Sequence, residues 1–482
     1  MDRLSSRTRV LVLLLLLAAW AWRLHGLDAQ SLWRDETDSL RFATRPLAQV
    51  LGNFTRPGEN GPLYFLLLRP WLTLAGHSEY ALRFPSALAG LLALPLILVW
   101  GRRLFALDVG LLAALLLAVN PYHLWYSQEA KMYALLVVVV MLALWAFAQA
   151  LRRGGWWRWL IWLALSSACL YVHVLGVLVL PVQMVWFLVT PQWRRRWRSY
   201  VVALAVLVLP YVPLVWWQWA LLTNPDFRTG HPFVPLDQLL LTIWSAQIQG
   251  IPQRPSALVL APPIFLLLAA LFLKPRQETH LPEPEVTRPR LLCLSWWLIP
   301  VLGVFLISLV TPIFTDRYVI WVLPALLLLL ALGAHRLSEH NRWLAAVVLA
   351  MLLGFQVWVG WQQSTTPIKS DFRSAAAYVT AVRRPEDITL FLIPYIRSTY
   401  EYYDPGPYPA ADAPYANREP DASLAPDRLR DLVQGHAGVW VIESEADFYD
   451  RQGHIRAWLE ANGQRDDEAH FALVSVYHYR LP

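Results

Sequence analysis

The chain has 482 residues, of which 57% are hydrophobic and 16% are charged, and its formal net charge is +7. Ordinary soluble domains carry roughly 25% charged residues, so a chain this apolar has too little polar surface for several water-soluble cores and is predicted to lie mostly in a membrane. The excess arginine falls in short loops between apolar segments, which indicates membrane orientation and no nucleic-acid partner, and both cysteines lie in apolar runs, which excludes a disulfide-rich secreted protein.

About eleven apolar stretches have the length of a membrane-spanning helix, near 20 residues. The first, Val10 to Trp22, follows three arginines and is interpreted as an uncleaved first span and not as a signal peptide. The segment Pro62 to Gly76 is short and contains Arg69-Pro70, so it is predicted to be a helix lying in the outer interface. The other predicted spans are 82–101, 108–126, 131–151, 156–172, 174–190, 199–221, 256–273, 291–311, 318–335 and 342–361.

Basic residues determine the predicted orientation. If the interfacial segment does not cross, all basic clusters fall on one side, which the positive-inside rule makes cytoplasmic together with the N-terminus. The first loop, 23–81, the loop 222–255 and everything after about 361 are then external. Low lysine with high arginine, proline and alanine favours a bacterial inner membrane. The basic clusters are Arg102-Arg103, Arg152-Arg153, Arg194-Arg195-Arg196, Lys274 with Arg276, and Arg336 with Arg342.

Residues 362–482 differ in character from residues 1–361, the predicted transmembrane domain. They have ordinary charge density, and helix-like patterns alternate with strand-like ones, which predicts a small external α/β domain. The predicted helices are 371–383, 427–434 and 446–462, and the predicted strands are 387–394, 438–443 and 470–480.

Ionisable and aromatic residues collect at the predicted outer ends of the apolar segments. Asp35 and Glu36 follow the first span, and His173 lies between two later spans. Each has a simpler interpretation, because loop carboxylates are often only solvated, charges near helix ends snorkel to water, and a lone histidine usually packs. The candidate site residues are Asp35, Glu36, Asn60, Tyr126, Gln128, Glu129, Lys131, Tyr133, His173, Asp316, Arg317 and Tyr318.

Five motifs in a fixed order raise these residues above that simpler interpretation: Asp35-Glu36, Asn60-Gly61-Pro62-Leu63-Tyr64, the block from Glu79 to Ala87, the block from Tyr126 to Tyr133, and Asp316-Arg317-Tyr318. In this order the chain resembles the polytopic glycosyltransferases that use polyprenyl-phosphate sugars, the family of protein O-mannosyltransferases and lipid A aminoarabinose transferases. Two motifs depart from the family pattern, which commonly has His-Pro-Pro where this chain has Asn60-Gly61-Pro62 and Arg where it has Lys131. Lysine keeps the charge but loses the bidentate geometry of arginine.

The resemblance implies a GT-C fold and an inverting glycosyltransferase that moves a sugar from a polyprenyl-phosphate carrier to an acceptor hydroxyl at the outer face. Asp35 is expected to be the general base, with Glu36 orienting or supporting it. Lys131 and Arg317 are expected to neutralise the phosphate. The other candidates are expected to bind the sugar or the acceptor, which is a lipid, a glycan or a protein. A divalent metal bound by Asp35, Glu36 or Glu129 stays open, because related enzymes differ in this respect.

Two other classes of function stay open from the sequence. One is a transporter of lipids or polyprenyl-linked sugars, and the other is a non-catalytic membrane assembly protein. Transporters often place charges near the bilayer midplane and contain repeats, whereas here the charges gather at predicted outer ends and no repeat is visible. The sequence has no glycine-rich nucleotide-binding loop, which favours a lipid-linked donor over a nucleotide sugar.

Overall fold

The computed structural model describes residues 5–52, 59–223, 231–250, 257–276, 288–414, 424–446 and 450–482. Two compact units divide the chain. The first consists of Met1–His25, Ala43–His77 and Ala81–Gln363. The second consists of Gly26–Phe42, Ser78–Tyr80 and Ser364–Pro482. Segments from the beginning of the chain therefore belong to the same unit as its end.

Apolar helices make up the first unit. Each stretch predicted to span the membrane is mostly helical where the structure describes it, with breaks such as Asn120 within 108–126 and residues 309–311 at the end of 291–311. Short 3₁₀ turns at Val174–Leu178, Pro191–Arg196 and Asp316–Val322 interrupt the α-helices. Up to Thr365 the helices are α1 (Ser6–Leu24), α2 (Arg34–Thr44), α3 (Leu47–Gly52), α4 (Leu63–Ala75), α5 (Glu79–Leu104), α6 (Leu107–Val119), α7 (Pro121–Ser127), α8 (Tyr133–Arg153), α9 (Trp156–Val172), α10 (Val179–Val189), α11 (Trp197–Thr223), α12 (Leu236–Gln249), α13 (Ala257–Phe272), α14 (Pro289–Ser308), α15 (Leu323–His340) and α16 (Arg342–Thr365).

By length and composition, five helices in the described chain can cross a membrane, namely α5, α8, α14, Asp316–His340 and α16. Two bent pairs, α6 with α7 at 62° and Val174–Val189 with Pro191–Leu209 at 105°, raise the number to seven if each pair is one span. The protein is thus a multi-pass membrane protein. The expected total of about eleven spans stays a prediction, because helices such as α9, with 17 residues, are shorter than a span requires. The predicted external loop 222–255 contains a helix of its own, α12.

Side chains that cap helix ends hold the bend between α6 and α7. Asn120 accepts the His123 N–H at 2.9 Å, as an N-cap residue does, and Pro121 occupies the first helical position. The buried Arg23 of α1 donates to the carbonyl of Ala118 at 3.3 Å, in the last turn of α6. A cation suits this helix end, and a carbonyl inside a membrane protein needs such a partner because no lipid supplies one.

The second unit contains a five-stranded sheet in the order β2-β1-β3-β5-β4. Strand β1 pairs in parallel with β2 and β3, whereas β5 pairs antiparallel with β3 and β4. The prediction of a C-terminal α/β part is therefore confirmed. Its strands are β1 (Asp387–Phe391), β2 (Ala410–Asp412), β3 (Gly438–Glu443), β4 (Gln464–Phe471) and β5 (Val474–Arg480), and its helices are α17 (Phe372–Val382), α18 (Arg397–Tyr403), α19 (Ala425–Val433) and α20 (His454–Asn462).

The predicted strand 470–480 was wrong in one respect, because a turn at Ala472 and Leu473 divides it between β4 and β5. Of the predicted helix 446–462, the structure has α20, and residues 447–449 lie outside the described residues. The sheet carries the hydrophobic core of the second unit, which includes Leu390 on β1 and Trp440 and Val441 on β3.

A polar cluster links the strands. The His478 ring of β5 lies with Nε2 3.6 Å from Asp387 Oδ2 at the start of β1. Its Nδ1 hydrogen-bonds to Asp466, whose other oxygen accepts from Arg480 at 2.7 Å. Both Asp387 and His478 are buried, and Asp387 Oδ2 also accepts the N–H of Arg384 at 2.9 Å.

Candidate active site

Asp35 and Glu36 lie in the first turn of α2, where the helix dipole favours negative charge. Their side chains differ in environment. Glu36 is 0% exposed, and its Oε2 lies 3.2 Å from Nζ of Lys369, which is itself 8% exposed. Asp35 is partly exposed. Of the two carboxylates, Asp35 is therefore the one that a molecule from outside the second unit can reach.

A hydrogen-bond network surrounds this turn within the second unit. Glu79 accepts hydrogen bonds from the guanidinium of Arg373 and from the hydroxyl of Tyr403. The Tyr403 oxygen also accepts the N–H of Leu32 at 2.7 Å. Burial and the hydrogen bond to Glu79 raise the pKa of Tyr403, so the phenol stays protonated and donates a hydrogen bond to the Glu79 carboxylate. Glu79, which the sequence indicated only as part of a motif, thus anchors the segment before Asp35.

A second group of predicted residues comes together in the first unit, through contacts between aromatic rings. The ring of Tyr133 lies 5.2 Å from that of Tyr126 and 6.1 Å from that of His173. The His173 ring in turn lies 4.8 Å from the ring of Tyr318. The guanidinium carbon of Arg317 lies 5.8 Å from the Tyr133 ring centroid. Residues separated by up to about 190 positions therefore form one cluster, which we call the arginine-aromatic cluster: Tyr126, Tyr133, His173, Arg317 and Tyr318.

His173 has a defined protonation state in this cluster. It lies at the break between α9 and the following 3₁₀ turn, and its Nδ1 accepts the N–H of Leu175 at 3.2 Å. Burial, with the positive charge of Arg317 as a second cause, lowers the pKa of His173 to about 3. The neutral ring therefore carries its proton on Nε2. Among the described residues this Nε2 group has no hydrogen-bond partner, although the side chain is only 1% exposed.

A buried donor without a hydrogen-bond partner is rare in native structures, and a bound ligand is one of the few explanations for it. The Nε2–H of His173 belongs to the same cluster as the Arg317 cation, whose charge also contributes to lowering the pKa of His173 and, after burial, the pKa of His231. The two groups together suit an anionic oxygen, to which cations and N–H donors form short, strong hydrogen bonds.

Asp316 and Glu129 interact with residues of this cluster, and Lys131 lies two positions before Tyr133 in the chain. The Asp316 carbonyl accepts the Tyr122 hydroxyl at 2.8 Å, and its carboxylate interacts electrostatically with Arg317. Glu129 is fully buried and interacts electrostatically with Tyr126. Lys131 is buried, and its backbone carbonyl accepts the Ser86 hydroxyl at 3.0 Å.

Two predicted residues support the backbone of the site. The Asn60 side chain accepts the N–H of Val174 at 3.5 Å, directly after His173. The neighbouring Gly61 has no side chain because a Cβ there would overlap the carbonyl of Tyr171. Gln128, predicted to bind substrate, donates from its amide to three carbonyls at the end of α1, at 3.0–3.3 Å. That amide nitrogen is therefore engaged in joining α7 to α1.

Sequence reasoning did not find three groups of the site. Tyr122 could have been indicated by its place in the Asn-Pro-Tyr-His segment, four residues before Tyr126. His231 stacks edge-on against Tyr318 at 6.3 Å and has no sequence signal. Lys369 pairs with Glu36 across 333 positions. Within the described part of the chain, no group of three or more His, Cys, Asp and Glu side chains could hold a metal ion.

An assembly of apolar helices followed by a small α/β part is the architecture of the GT-C glycosyltransferases. ArnT from Cupriavidus metallidurans in the apo state matches with a TM-score of 0.58 at 16% identity, over 98% of each chain. ArnT bound to undecaprenyl phosphate matches with a TM-score of 0.56 at 15% identity, over 99% of this chain and 98% of ArnT. The archaeal oligosaccharyltransferase AglB from Archaeoglobus fulgidus, in complex with an inhibitory peptide and a dolichol-phosphate, matches with a TM-score of 0.58 at 12% identity, over 98% of this chain and 74% of AglB. At these identities the likeness is one of fold.

A sequence comparison points to the same class. Residues 57–219 match the family model described as dolichyl-phosphate-mannose-protein mannosyltransferase. No curated protein matches the chain. The resemblance to polytopic glycosyltransferases of the GT-C fold is therefore confirmed, and so is the predicted fold class.

Proposed function

We propose that the protein is an inverting glycosyltransferase that moves a sugar from a polyprenyl-phosphate carrier to an acceptor hydroxyl at the outer face of a bacterial inner membrane. The observation that carries the proposal is the arginine-aromatic cluster, in which the partly buried Arg317 cation accompanies the buried Nε2–H of His173, a donor without a hydrogen-bond partner among the described residues. A leaving phosphate needs groups of this kind. A structure of ArnT with undecaprenyl phosphate and one of AglB with a dolichol-phosphate support a lipid-linked phosphate as the donor.

In the proposed reaction, Asp35 removes the proton of the acceptor hydroxyl while the hydroxyl oxygen bonds to the anomeric carbon of the donor sugar. The bond between the anomeric carbon and the phosphate oxygen breaks, and polyprenyl phosphate leaves with the electron pair. Arg317 and Lys131 stabilise its charge in a partly dry site, where such stabilisation contributes most to the rate. Attack from the side opposite the phosphate inverts the anomeric centre.

The remaining predicted residues are assigned to binding. His173 donates a hydrogen bond to the phosphate or to a sugar hydroxyl, and Tyr133, Tyr126 and Tyr318 form the wall around it. Asn60 and Gln128 hold the backbone of the site, and Glu129 and Asp316 orient polar groups of the sugar or the acceptor. The acceptor is a lipid, a glycan or a protein with a free hydroxyl. The orientation rests on the positive-inside rule, which assigns the N-terminus to the cytoplasm and residues 362–482 to the outside.

The test uses the purified full chain in lipid nanodiscs with polyprenyl-phosphate mannose, arabinose and aminoarabinose and a panel of lipid, glycan and peptide acceptors that carry hydroxyls, and it follows the release of polyprenyl phosphate. Wild type is expected to release it with at least one donor, and Asp35→Asn is expected to abolish release while remaining folded. Asp38→Asn is the matched control, because Asp38 lies on the same helix and pairs with Arg41 at 2.7 Å. Its turnover should stay near that of the wild type.

Three results would contradict the proposal. Wild type that releases no polyprenyl phosphate with any donor returns the protein to the transporter or assembly class. Release that persists in Asp35→Asn removes the role of this residue as the base. A product with retained anomeric configuration, measured by the proton coupling at the anomeric carbon, excludes a single inverting displacement.

A further inference from the structure

The ion pair between Glu36 and Lys369 has a feature that a surface pair lacks. Both side chains are buried, and their charged atoms lie 3.2 Å apart. In such a pair the opposite charges offset part of the cost of burial, and removing one partner leaves the other uncompensated by it. Glu36 is the direct neighbour of Asp35 in the first turn of α2, and this turn determines where the Asp35 side chain lies.

The segment that contains Lys369 is attached to the α2 region at several points, all within the second unit. The Gln30 side chain accepts the N–H groups of Ile368 and Lys369, each at 3.0 Å. Thr37, one position after Glu36, shares a hydrogen bond of 2.8 Å with Thr399. Gln30 therefore fixes the backbone at Lys369, and this places the Lys369 ammonium beside Glu36.

The Arg34 guanidinium, directly before Asp35, lies 3.7 Å from the centroid of the Tyr395 ring. Arg34, Glu36 and Thr37, the neighbours of Asp35, therefore each contact a side chain of residues 369–399. These contacts hold the first turn of α2, which carries Asp35.

We propose that Lys369 is a positioning residue for glycosyl transfer. By holding Glu36, it keeps the first turn of α2 in the geometry in which Asp35 accepts the proton of the acceptor hydroxyl. The inference rests on the proposed function of Asp35, and it makes the segment after α16 a part of the catalytic apparatus and not a separate accessory domain. Lys369 itself touches no reacting atom in this scheme.

The experiment compares three variants of the full chain in nanodiscs, by polyprenyl phosphate release with the donor that wild type uses. Lys369→Met is expected to lower kcat by about 10- to 100-fold, the cost of a catalytic group displaced by about 1 Å, with the donor KM within about twofold. Lys369→Arg keeps the cation and should retain most of the rate. The double variant Lys369→Met with Glu36→Gln should recover part of the lost rate, because it leaves no unpaired buried charge.

The matched control is Arg383→Met, which breaks another ion pair of the same unit, the partly buried pair of Arg383 with Asp404 at 2.8 Å. A purely structural role predicts that both single variants reduce the yield of folded protein and leave kcat per folded molecule unchanged. Equal kcat losses in Lys369→Met and Arg383→Met, no loss in Lys369→Met, or a double variant no faster than Lys369→Met overturns the inference. Wild type without turnover is a different result, which refutes the proposed function.

Discussion

The buried His173 ring leads to a prediction about stability as a function of pH. Its pKa of about 3 in the folded chain lies below the ordinary value of 6.5, so between these values the unfolded state binds more protons than the folded state. His173 therefore leaves the free energy of unfolding unchanged above about pH 6.5 and lowers it as the pH falls from 6.5 toward 3. The loss is about 1.4 kcal/mol for each pH unit, or about 2 kcal/mol at pH 5.0.

The perturbation is His173→Asn. Asparagine keeps an acceptor for the Leu175 N–H, at which His173 caps the 3₁₀ turn, but it does not titrate. The assay is thermal unfolding in nanodiscs at pH 7.5 and 5.0, followed by tryptophan fluorescence at one scan rate. Since a domain of 150–250 residues shifts by about 2–4 °C for each kcal/mol, and a longer chain by less, the wild type should lose about 2–4 °C more than the variant between the two pH values.

The control is His470→Asn, at an exposed ring on β4 that hydrogen-bonds to Ser475 at 3.0 Å. This variant should keep the full pH dependence of the wild type. If His173→Asn loses as much stability as the wild type on acidification, the ring is not held neutral by burial. The assignment of its proton to Nε2, and with it the orphaned donor, would then be refuted.

Two further predictions concern the cluster in each unit. Arg317→Gln is expected to lower kcat by about 10²–10³-fold in the polyprenyl phosphate assay, which is the usual effect of losing one preorganised group at a developing charge. Arg317→Lys keeps the charge and should lose less. Equal losses in the two variants would contradict a role in charge stabilisation. His478→Phe is expected to lower the free energy of unfolding by about 1–3 kcal/mol, because the ring no longer hydrogen-bonds to Asp466 and the buried Asp387 carboxylate loses its polar neighbour on β5. Asp387→Asn in the same background should restore part of this loss. A melting temperature of His478→Phe equal to that of the wild type would show that these contacts are not needed.

The helices of the first unit could be predicted well, because each apolar run has to satisfy its own backbone hydrogen bonds inside a membrane. Strand β3 begins and ends at the predicted residues, since its buried pattern is uniform. Strand β4 was not predicted as a separate strand. It is an edge strand whose sequence, QRDDEAHF, is mostly charged and exposed, so it has little of the apolar alternation by which a strand is recognised.

The candidate site divides in the same way. His173, Tyr133 and Arg317 were indicated by motifs, and the structure brings them together, although their roles stay proposals. The partner of Glu36 could not be predicted, because nothing near Lys369 in the sequence marks it and the pairing depends on the tertiary fold. Glu36 was predicted from its position beside Asp35. The sequence could not show that Glu36 is buried whereas Asp35 is partly exposed, which is the difference between the two carboxylates in the structure.

The composition of the second unit has a consequence for biosynthesis. Residues 26–42 contain the proposed base, but the side chains that hold them, from Lys369 to Tyr403, are made more than 300 positions later. At about 5–20 residues per second, translation of the intervening chain takes about 15–75 seconds. During that time Lys369, which pairs with Glu36 in the finished fold, has not yet been made, and the turn that carries Asp35 is incompletely assembled. If Asp35 is the base, the protein is therefore expected to stay inactive until nearly the whole polypeptide has left the ribosome.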